Sequence, residues 1–154
     1  MGLRSIVVDT GAERATLART YGAEHFVDFR QTFDTCAEVV RLTEGGAHAV
    51  FVTAVQACPV GLGYFGTRIG AKLIIGIPPQ GKYHPDVDPS HMTAFNQHVV
   101  GTLVSSLEDI NETLEFARRG LLALQPTVVG LSKFNESVQK LKRGQVAGRI
   151  IGEG

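Results

Sequence analysis

Residues 4–14 decide the fold: Arg4-Ser-Ile-Val-Val-Asp9 runs directly into Thr10-Gly-Ala-Glu-Arg14. The mostly β-branched run predicts a strand, and the glycine after the acidic residue turns the chain into a helical pattern. Open α/β sheets bind their ligands at the carboxyl ends of their strands. A carboxylate at that point, here Asp9, can accept hydrogen bonds from a ribose diol, or it can cap the helix that follows. The stretch alone leaves both interpretations of Asp9 open.

Apolar strands alternate with helical segments along the rest of the chain. Continuous apolar runs such as Ala49–Ala54 and Lys72–Gly76 are typical of strands that are buried on both faces of a parallel sheet. Further strands are predicted over His25–Asp28, His98–Leu103, Thr127–Gly130 and Ala147–Ile151. Alternation at this pitch predicts an α/β fold built on a doubly wound parallel sheet, in a single domain over residues 1–154.

Capping patterns predict where several helices begin. Thr35-Cys-Ala-Glu38 has the spacing of a capping box, and Ser90 and Ser106 each precede a helical pattern. The helix after Ser106 is amphipathic and ends at Gly120. Between the two most apolar strands, residues 59–65 predict only a short, irregular helix. A last helix is predicted to carry Phe134, Val138 and Leu141.

The composition excludes several classes of protein. At 154 residues the chain has the length of one domain, and 44% apolar against 19% charged residues is an ordinary globular balance. Equal numbers of basic and acidic side chains, 15 of each, argue against nucleic acid and membrane partners. Cys36 and Cys58 form no CxxC pair, and the N-terminus has a strand pattern rather than that of a signal peptide. We expect a soluble, cytoplasmic protein without a disulfide framework.

Two tempting motifs do not carry a site. Gly61-Leu-Gly63-Tyr-Phe-Gly66 matches the dinucleotide fingerprint GxGxxG, but the next strand begins only a few residues later and leaves no room for the required helix. His84, His91 and His98 recur every seven residues, which suggests a metal. They fall on a loop, a helix and a strand start, so three solvated histidines are the favoured interpretation.

Taken together, the chain resembles the cofactor domain of zinc-dependent medium-chain alcohol dehydrogenases, especially the tetrameric ethanol-oxidising type. The likeness covers nearly the whole chain in order. Its matching stretches are Val8–Gly11, Tyr21–Phe29, Thr43–His48, Leu73–Pro78, Val100–Val104, Leu114–Gly120 and Leu141–Arg149. The resemblance implies a Rossmann-like NAD-binding fold and, in the whole enzyme, oxidation of an alcohol to an aldehyde or ketone with hydride transfer to NAD.

The resemblance also implies a role for individual residues. Asp9 would hold the adenosine ribose hydroxyls of NAD, and Arg14 stands where a ribose-contacting lysine is usual. An acid at position 9 favours NAD over NADP, because it would repel a 2′-phosphate. The other implied cofactor contacts are Phe29 beside the adenine, Ile75, Ile77, Thr102 and Val104 along the nicotinamide half, and Arg149 at the pyrophosphate.

Three departures from the family pattern limit what the chain is expected to do. The zinc-binding catalytic domain, the first strand and the glycine-rich turn have no counterpart here, so neither catalytic residues nor metal ligands are assigned. We therefore expect a partial NAD-binding domain that is inactive alone, with NAD, a small alcohol or aldehyde and a homo-oligomer partner belonging to the full enzyme. The alternatives are a non-catalytic nucleotide-binding or subunit-interaction module, and a gene fragment without function.

Overall fold

The computed structural model describes residues 2–76, 81–122 and 126–154, which fall into two compact units. The first unit comprises Met1–Phe26 and Ser106–Gly154, and the second comprises Val27–Ser105. Strands and helices alternate along the chain, as predicted. The strands are β1 (Ile6–Asp9), β2 (His25–Asp28), β3 (Ala49–Val52), β4 (Lys72–Ile75), β5 (His98–Gly101), β6 (Thr127–Gly130) and β7 (Ile150–Glu153).

The α-helices follow the strands in the expected order. They are α1 (Ala12–Thr20), α2 (Thr35–Leu42), α3 (Pro89–Phe95), α4 (Leu107–Arg118) and α5 (Phe134–Lys142). Short 3₁₀ helices cover Val55–Ala57, Gly61–Phe65 and Leu131–Lys133, so the irregular helix predicted near residues 59–65 is present. None of the helices in the described residues is both long and apolar enough to span a bilayer.

Parallel pairing organises the second unit. Strands β3, β4 and β5 lie side by side in that order, with Val50 opposite Leu73 and Leu73 opposite Val99. Leu73 and Phe65 are fully buried, and they pack with other apolar residues into one core. The remaining fully packed members of that core are Val52, Cys58 and Ala71. The predicted parallel α/β fold class is confirmed by these elements and pairings.

The glycines of the rejected fingerprint are packing residues of this core. A Cβ on Gly61 would lie 2.7 Å from Leu73 Cδ1, and one on Gly63 would lie 2.6 Å from Cys36 Sγ. Gly66 has a φ of +49°, and a Cβ there would lie 2.8 Å from the carbonyl oxygen of Gly45. The segment is a buried 3₁₀ helix between β3 and β4, which confirms that it is not a phosphate-binding turn.

The first unit is held together differently. Strands β6 and β7 pair in parallel as a two-stranded sheet of their own. Helices α1, α4 and α5 contain no buried residue. On α4, Leu107, Ile110 and Leu114 form an apolar face that is exposed to solvent.

Two of the three helix caps assigned from the sequence are wrong in detail. The N-cap of α2 is Asp34, which accepts from the amide of Ala37, so Thr35 lies inside the helix and no Thr35–Glu38 capping box forms. Helix α3 is capped by Asp88 rather than Ser90, because Pro89 needs no backbone partner in the first turn. The cap at Ser106 is confirmed and has a capping box with Asp109.

The last strand also begins three residues later than the sequence indicates. It runs over Ile150–Glu153, and Gly148 precedes it with a φ of +85°. Such a conformation breaks the extended pattern that the apolar composition of this region predicts. Arg149 therefore lies at the entrance to β7 rather than within it.

Candidate functional site

Asp9 is the last residue of β1, and its carboxylate remains partly open to solvent. Gly11, with a φ of 100°, is the N-cap of α1, so Asp9 lies before the cap position and does not occupy it. The Thr10 amide donates to Asp9 Oδ1 over 2.8 Å. The Asp9 side chain is 39% exposed, which leaves room for a ligand hydroxyl. A ribose diol is the kind of donor pair that such a carboxylate accepts.

The structure brings Arg14 to Asp9. Arg14 lies in the first half of α1, and its Nη1 is 3.3 Å from Asp9 Oδ1. Its Nη2 donates to the carbonyl oxygen of Gly144 over 2.5 Å and lies 3.4 Å from that of Val146. The guanidinium is therefore already engaged by protein groups on two sides, with 29% of the side chain exposed.

Arg149 lies a few residues beyond those carbonyls in the same unit. Its own carbonyl oxygen accepts from the amide of Thr127 over 2.8 Å, which ties the start of β7 to the start of β6. A Cβ on Gly148, its neighbour, would lie 3.6 Å from Leu17 Cδ2 of α1. The segment before Arg149 thus packs on α1, the helix that follows Asp9.

In the second unit the structure joins two of the residues expected along the nicotinamide half. The amide of Thr102 donates to the carbonyl of Ile75 over 3.0 Å, at the carboxyl ends of β5 and β4. Val104 lies beyond that edge and is 84% exposed. Phe29 follows β2 and is half exposed. Ile77, the remaining residue of the set, lies outside the described residues.

The cysteines do not form a nucleophilic site. Burial raises the pKa of both the Cys36 and the Cys58 thiols, so each stays protonated at neutral pH. Cys36 lines a cavity of about 400 Å³ in the second unit together with His91, Asp86 and Asp88. None of the cavity-lining residues is one of the predicted cofactor contacts.

Metal binding finds no support in the described parts of the chain. Over residues 2–76, 81–122 and 126–154 no three His, Cys, Asp or Glu side chains come together in a group that could hold an ion. His84 and His98 are exposed, and His91 is partly buried with its Nδ1 3.2 Å from Gln97 Oε1. A zinc ion does not fit the donor sets present here, and we derive no step through it.

Sequence reasoning missed the backbone half of the Arg14 site. The carbonyl oxygens of Gly144 and Val146 carry no side-chain signature, and they are 130 and 132 residues away from Arg14. The signal available was indirect: Gly144 and Gly148, spaced around Val146, mark a tight turn next to an arginine.

Comparison with known proteins assigns the chain to a family. Residues 1–119 match the family model described as zinc-binding dehydrogenase, which is well over half of the chain. The chain belongs to the zinc-binding dehydrogenase family. This membership confirms the resemblance derived from the sequence.

Two alcohol dehydrogenases are similar to this chain over almost its whole length. Alcohol dehydrogenase 1 of Neurospora crassa is 33% identical over 155 aligned positions, covering 98% of this chain and 43% of that protein. The alcohol dehydrogenase of Geobacillus stearothermophilus is 31% identical, covering 98% and 44%. The chain thus spans less than half the length of these relatives.

A solved structure of an alcohol dehydrogenase shows the same fold. The enzyme from the archaeon Aeropyrum pernix superposes with a TM-score of 0.81 at 25% identity. The match covers 94% of this chain and 41% of that one. The predicted Rossmann-like class therefore agrees with both the strand pairing and the structural neighbour.

Proposed function

We propose that this chain is the NAD-binding part of a zinc-dependent alcohol dehydrogenase, which oxidises a small alcohol to an aldehyde or ketone. The observation that carries the proposal is the Asp9 carboxylate, partly exposed at the carboxyl end of β1 and held by Arg14. Family membership and the alcohol dehydrogenase relatives support the reaction class. When bound, NAD supplies the hydride acceptor.

The chain's own residues bind and orient the cofactor. Asp9 accepts hydrogen bonds from the two ribose hydroxyls and discriminates against a 2′-phosphate by charge repulsion. Arg149 neutralises the pyrophosphate, and a guanidinium suits this because it can donate two parallel hydrogen bonds. The other proposed contacts are Phe29 at the adenine and Ile75, Ile77, Thr102 and Val104 at the nicotinamide half.

The isolated chain is inactive in this proposal, because the zinc that polarises the alcohol would be held by residues outside it. The free cysteines agree with a reducing compartment such as the cytoplasm. We also propose a homo-oligomer. Strand β5 is an edge of the described β3–β4–β5 sheet, and exposed Val99 and Val100 make that edge suited to pairing with a second copy.

The role of Asp9 can be tested in the 154-residue chain, because NMR can measure weak nucleotide binding. Titrating the chain with AMP, NAD and NADP should move amide signals near Asp9, with NADP binding less tightly than NAD. Asp9→Ala should weaken AMP and NAD by about tenfold or more, since it removes charge-assisted hydrogen bonds. Asp28→Ala, a second strand-end aspartate whose Oδ1 accepts from the Arg30 amide, is the matched control.

The outcomes separate the alternatives. Nucleotide binding that Asp9→Ala leaves unchanged would show that Asp9 is not the ribose ligand. Nucleotide binding without NADH formation, when the chain is given zinc and a series of primary alcohols, is the expected result. Turnover by the isolated chain would overturn its proposed inactivity. No response to any nucleotide would favour an interaction module or a functionless fragment.

A further inference from the structure

Arg14 joins two parts of the chain that the proposed cofactor site needs to hold together. We propose that Arg14 is a positioning residue that ties the Asp9 carboxylate to residues 143–149 and thereby places Arg149. This proposal rests on the proposed function for its ligand, the pyrophosphate of a dinucleotide. It assigns Arg14 a different task from the direct ribose contact that the family resemblance implies.

The geometry of the guanidinium carries the first step. Nη1 faces Asp9 Oδ1 at 3.3 Å, while Nη2 donates to the Gly144 carbonyl over 2.5 Å. The Val146 carbonyl, 3.4 Å from Nη2, is a weaker second acceptor on the same nitrogen. Because a guanidinium is planar and its N–H directions are fixed, orienting one edge on Asp9 also orients the other edge on the two carbonyls.

The carbonyls that Arg14 contacts lie in the turn just after α5, which ends at Lys142. The amide of Gly144 donates to Leu141 O and that of Gln145 to Lys140 O, so the chain closes the helix in a tight turn, with Gly144 at a φ of +67°. The C-terminal end of a helix carries partial negative charge, and a cation beside it is favoured. A cation from another helix therefore stabilises this turn, and Lys140 of α5 itself is already paired with Glu136 at 2.8 Å.

Two further contacts transmit this restraint to Arg149. Leu17, one turn after Arg14 on α1, packs against Gly148, where an added Cβ would lie 3.6 Å away. The carbonyl of Arg149 accepts from Thr127 N over 2.8 Å. Residues 144–149 are therefore fixed at one end by the Arg14 guanidinium and at the other by β6. Losing Arg14 removes the hydrogen bonds that tie the Gly144 and Val146 carbonyls to α1, so that the segment leading to Arg149 is held less firmly.

Hydrogen exchange on the full 154-residue chain tests the tie without any ligand. In Arg14→Gln, the amides of Arg143, Gly144 and Gln145 should exchange faster by about tenfold or more, as loss of a hydrogen bond to a charged group implies. Arg14→Lys should recover only part of the protection, because an ammonium is a point charge without the planar fork. Arg19→Gln, on the same helix, is the charge-matched control and should leave these amides unchanged. Unchanged exchange in Arg14→Gln would overturn the proposal.

A nucleotide experiment distinguishes positioning from direct contact. Adenosine contains the ribose but no phosphate, whereas ADP-ribose contains both. If Arg14 positions Arg149, Arg14→Gln should weaken ADP-ribose several-fold more than adenosine, and Arg149→Gln should add little in the Arg14→Gln background. Equal weakening of both ligands, with additive effects of the two substitutions, would show that Arg14 only contacts ribose. If wild-type chain binds neither ligand, the proposed function fails, while the exchange result still decides whether the tie exists.

Discussion

The two units of the molecule differ in what holds them together. Every buried hydrophobic residue described by the structure lies in the second unit, Val27–Ser105. The described part of the first unit has none, and its contacts are backbone pairing between β6 and β7, helix caps, ion pairs and the Arg14 contacts. Apolar burial contributes roughly 25 cal/mol per Å² and grows with packed area, whereas exposed ion pairs contribute little. Stability is therefore concentrated in the unit that carries no residue of the Asp9–Arg14 pair.

The exposed apolar side chains of the first unit sharpen this contrast. Leu107, Ile110 and Leu114 follow one face of α4, and Phe134 and Leu141 are exposed on α5. Patches of this kind usually mark surfaces that are covered in a larger assembly. The first unit thus resembles an element that gains most of its stability from neighbours, in keeping with the proposed role as part of a larger enzyme.

The largest expected difference is between two phenylalanines. Phe65 is fully buried in the second unit, and Phe134 is 62% exposed in the first. Phe65→Ala should lower the free energy of unfolding by about 3–5 kcal/mol, because it removes apolar contacts and leaves a cavity. Phe134→Ala should change it by less than about 0.5 kcal/mol. Urea unfolding followed by circular dichroism measures both. Equal losses would mean that the two units do not differ in packing.

The fold was predictable from the sequence where a short stretch of adjacent residues determines which element forms. Continuous apolar runs gave β3 and β4, and the Ser106 pattern gave the start of α4, because these signals lie within a few adjacent residues. The predicted caps of α2 and α3 are wrong because Ser, Thr and Asp compete for the same position: Asp34 lies one residue before Thr35, and Asp88 lies two residues before Ser90. Local geometry decides between such neighbours.

The candidate site was predictable in part for the same reason. Asp9 follows from a strand pattern that ends in an acid, and Arg14 from the family resemblance. The partners of Arg14 at Gly144 and Val146 could not be predicted, because they are backbone atoms and sequence patterns encode side chains. Contacts over 130 residues depend on how the helices pack, which a local pattern does not specify.

A smaller difference between the two units is expected for glycine-to-alanine substitutions, because one glycine of the second unit lies against another side chain. A Cβ on Gly63 would lie 2.6 Å from Cys36 Sγ, too close for any real side chain. Gly63→Ala should therefore cost about 1–3 kcal/mol through overpacking. Adding Cys36→Ala removes the sulfur and should restore at least half of that loss, as thermal unfolding of the single and double variants would show. In the first unit, by contrast, an added Cβ on Gly120 meets nothing within 4 Å.

Failure of Cys36→Ala to restore stability would contradict the steric explanation. Cys36→Ala alone is the control for loss of the thiol's own packing. Gly120→Ala is a poor control because its φ of +70° strains any side chain. Gly130, at an ordinary φ and with Ser132 Oγ 3.8 Å from the Cβ position, is the matched glycine of the first unit. Gly130→Ala should be nearly neutral.

Removing a helix cap is expected to cause a loss of stability of intermediate size in either unit. Ser106→Ala removes the cap of α4 in the first unit, and Asp88→Ala removes that of α3 in the second. Each should cost about 1 kcal/mol. Ser90→Ala, at the position wrongly predicted to be the cap, should have little effect. Residue-resolved hydrogen exchange during urea titration reports which unit responds, and a full loss in Ser90→Ala would contradict the assignment of Asp88.

The smallest effects are expected from pH, and they have opposite signs in the two units. Hydrogen bonds from Arg4, Ser106, Arg118 and Lys140 lower the pKa of Glu24, Asp109, Glu115 and Glu136, respectively, all in the first unit. A carboxyl with a lowered pKa stabilises the folded state above its ordinary pKa and loses that contribution as the pH falls. The first unit should therefore weaken below the ordinary values of 4.5 for the glutamates and 3.8 for Asp109.

In the second unit, burial raises the pKa of Cys36, Cys58 and Tyr64, so their contribution has the reverse pH dependence. It is present below the ordinary pKa values of 9.0 for the thiols and 10.0 for Tyr64, and it is lost as the pH rises above them. Amide exchange cannot be compared directly across this range because its chemical rate depends on pH. Urea unfolding followed by the NMR methyl signals of Leu73 in the second unit, and of Leu17 in the first, can be compared at each pH. Added salt should reduce the acid effect, which comes from exposed pairs, and leave the alkaline effect in place, since buried groups are screened much less. If both units become less stable at the same pH, they unfold together. The contrast in packing would then not extend to their stability.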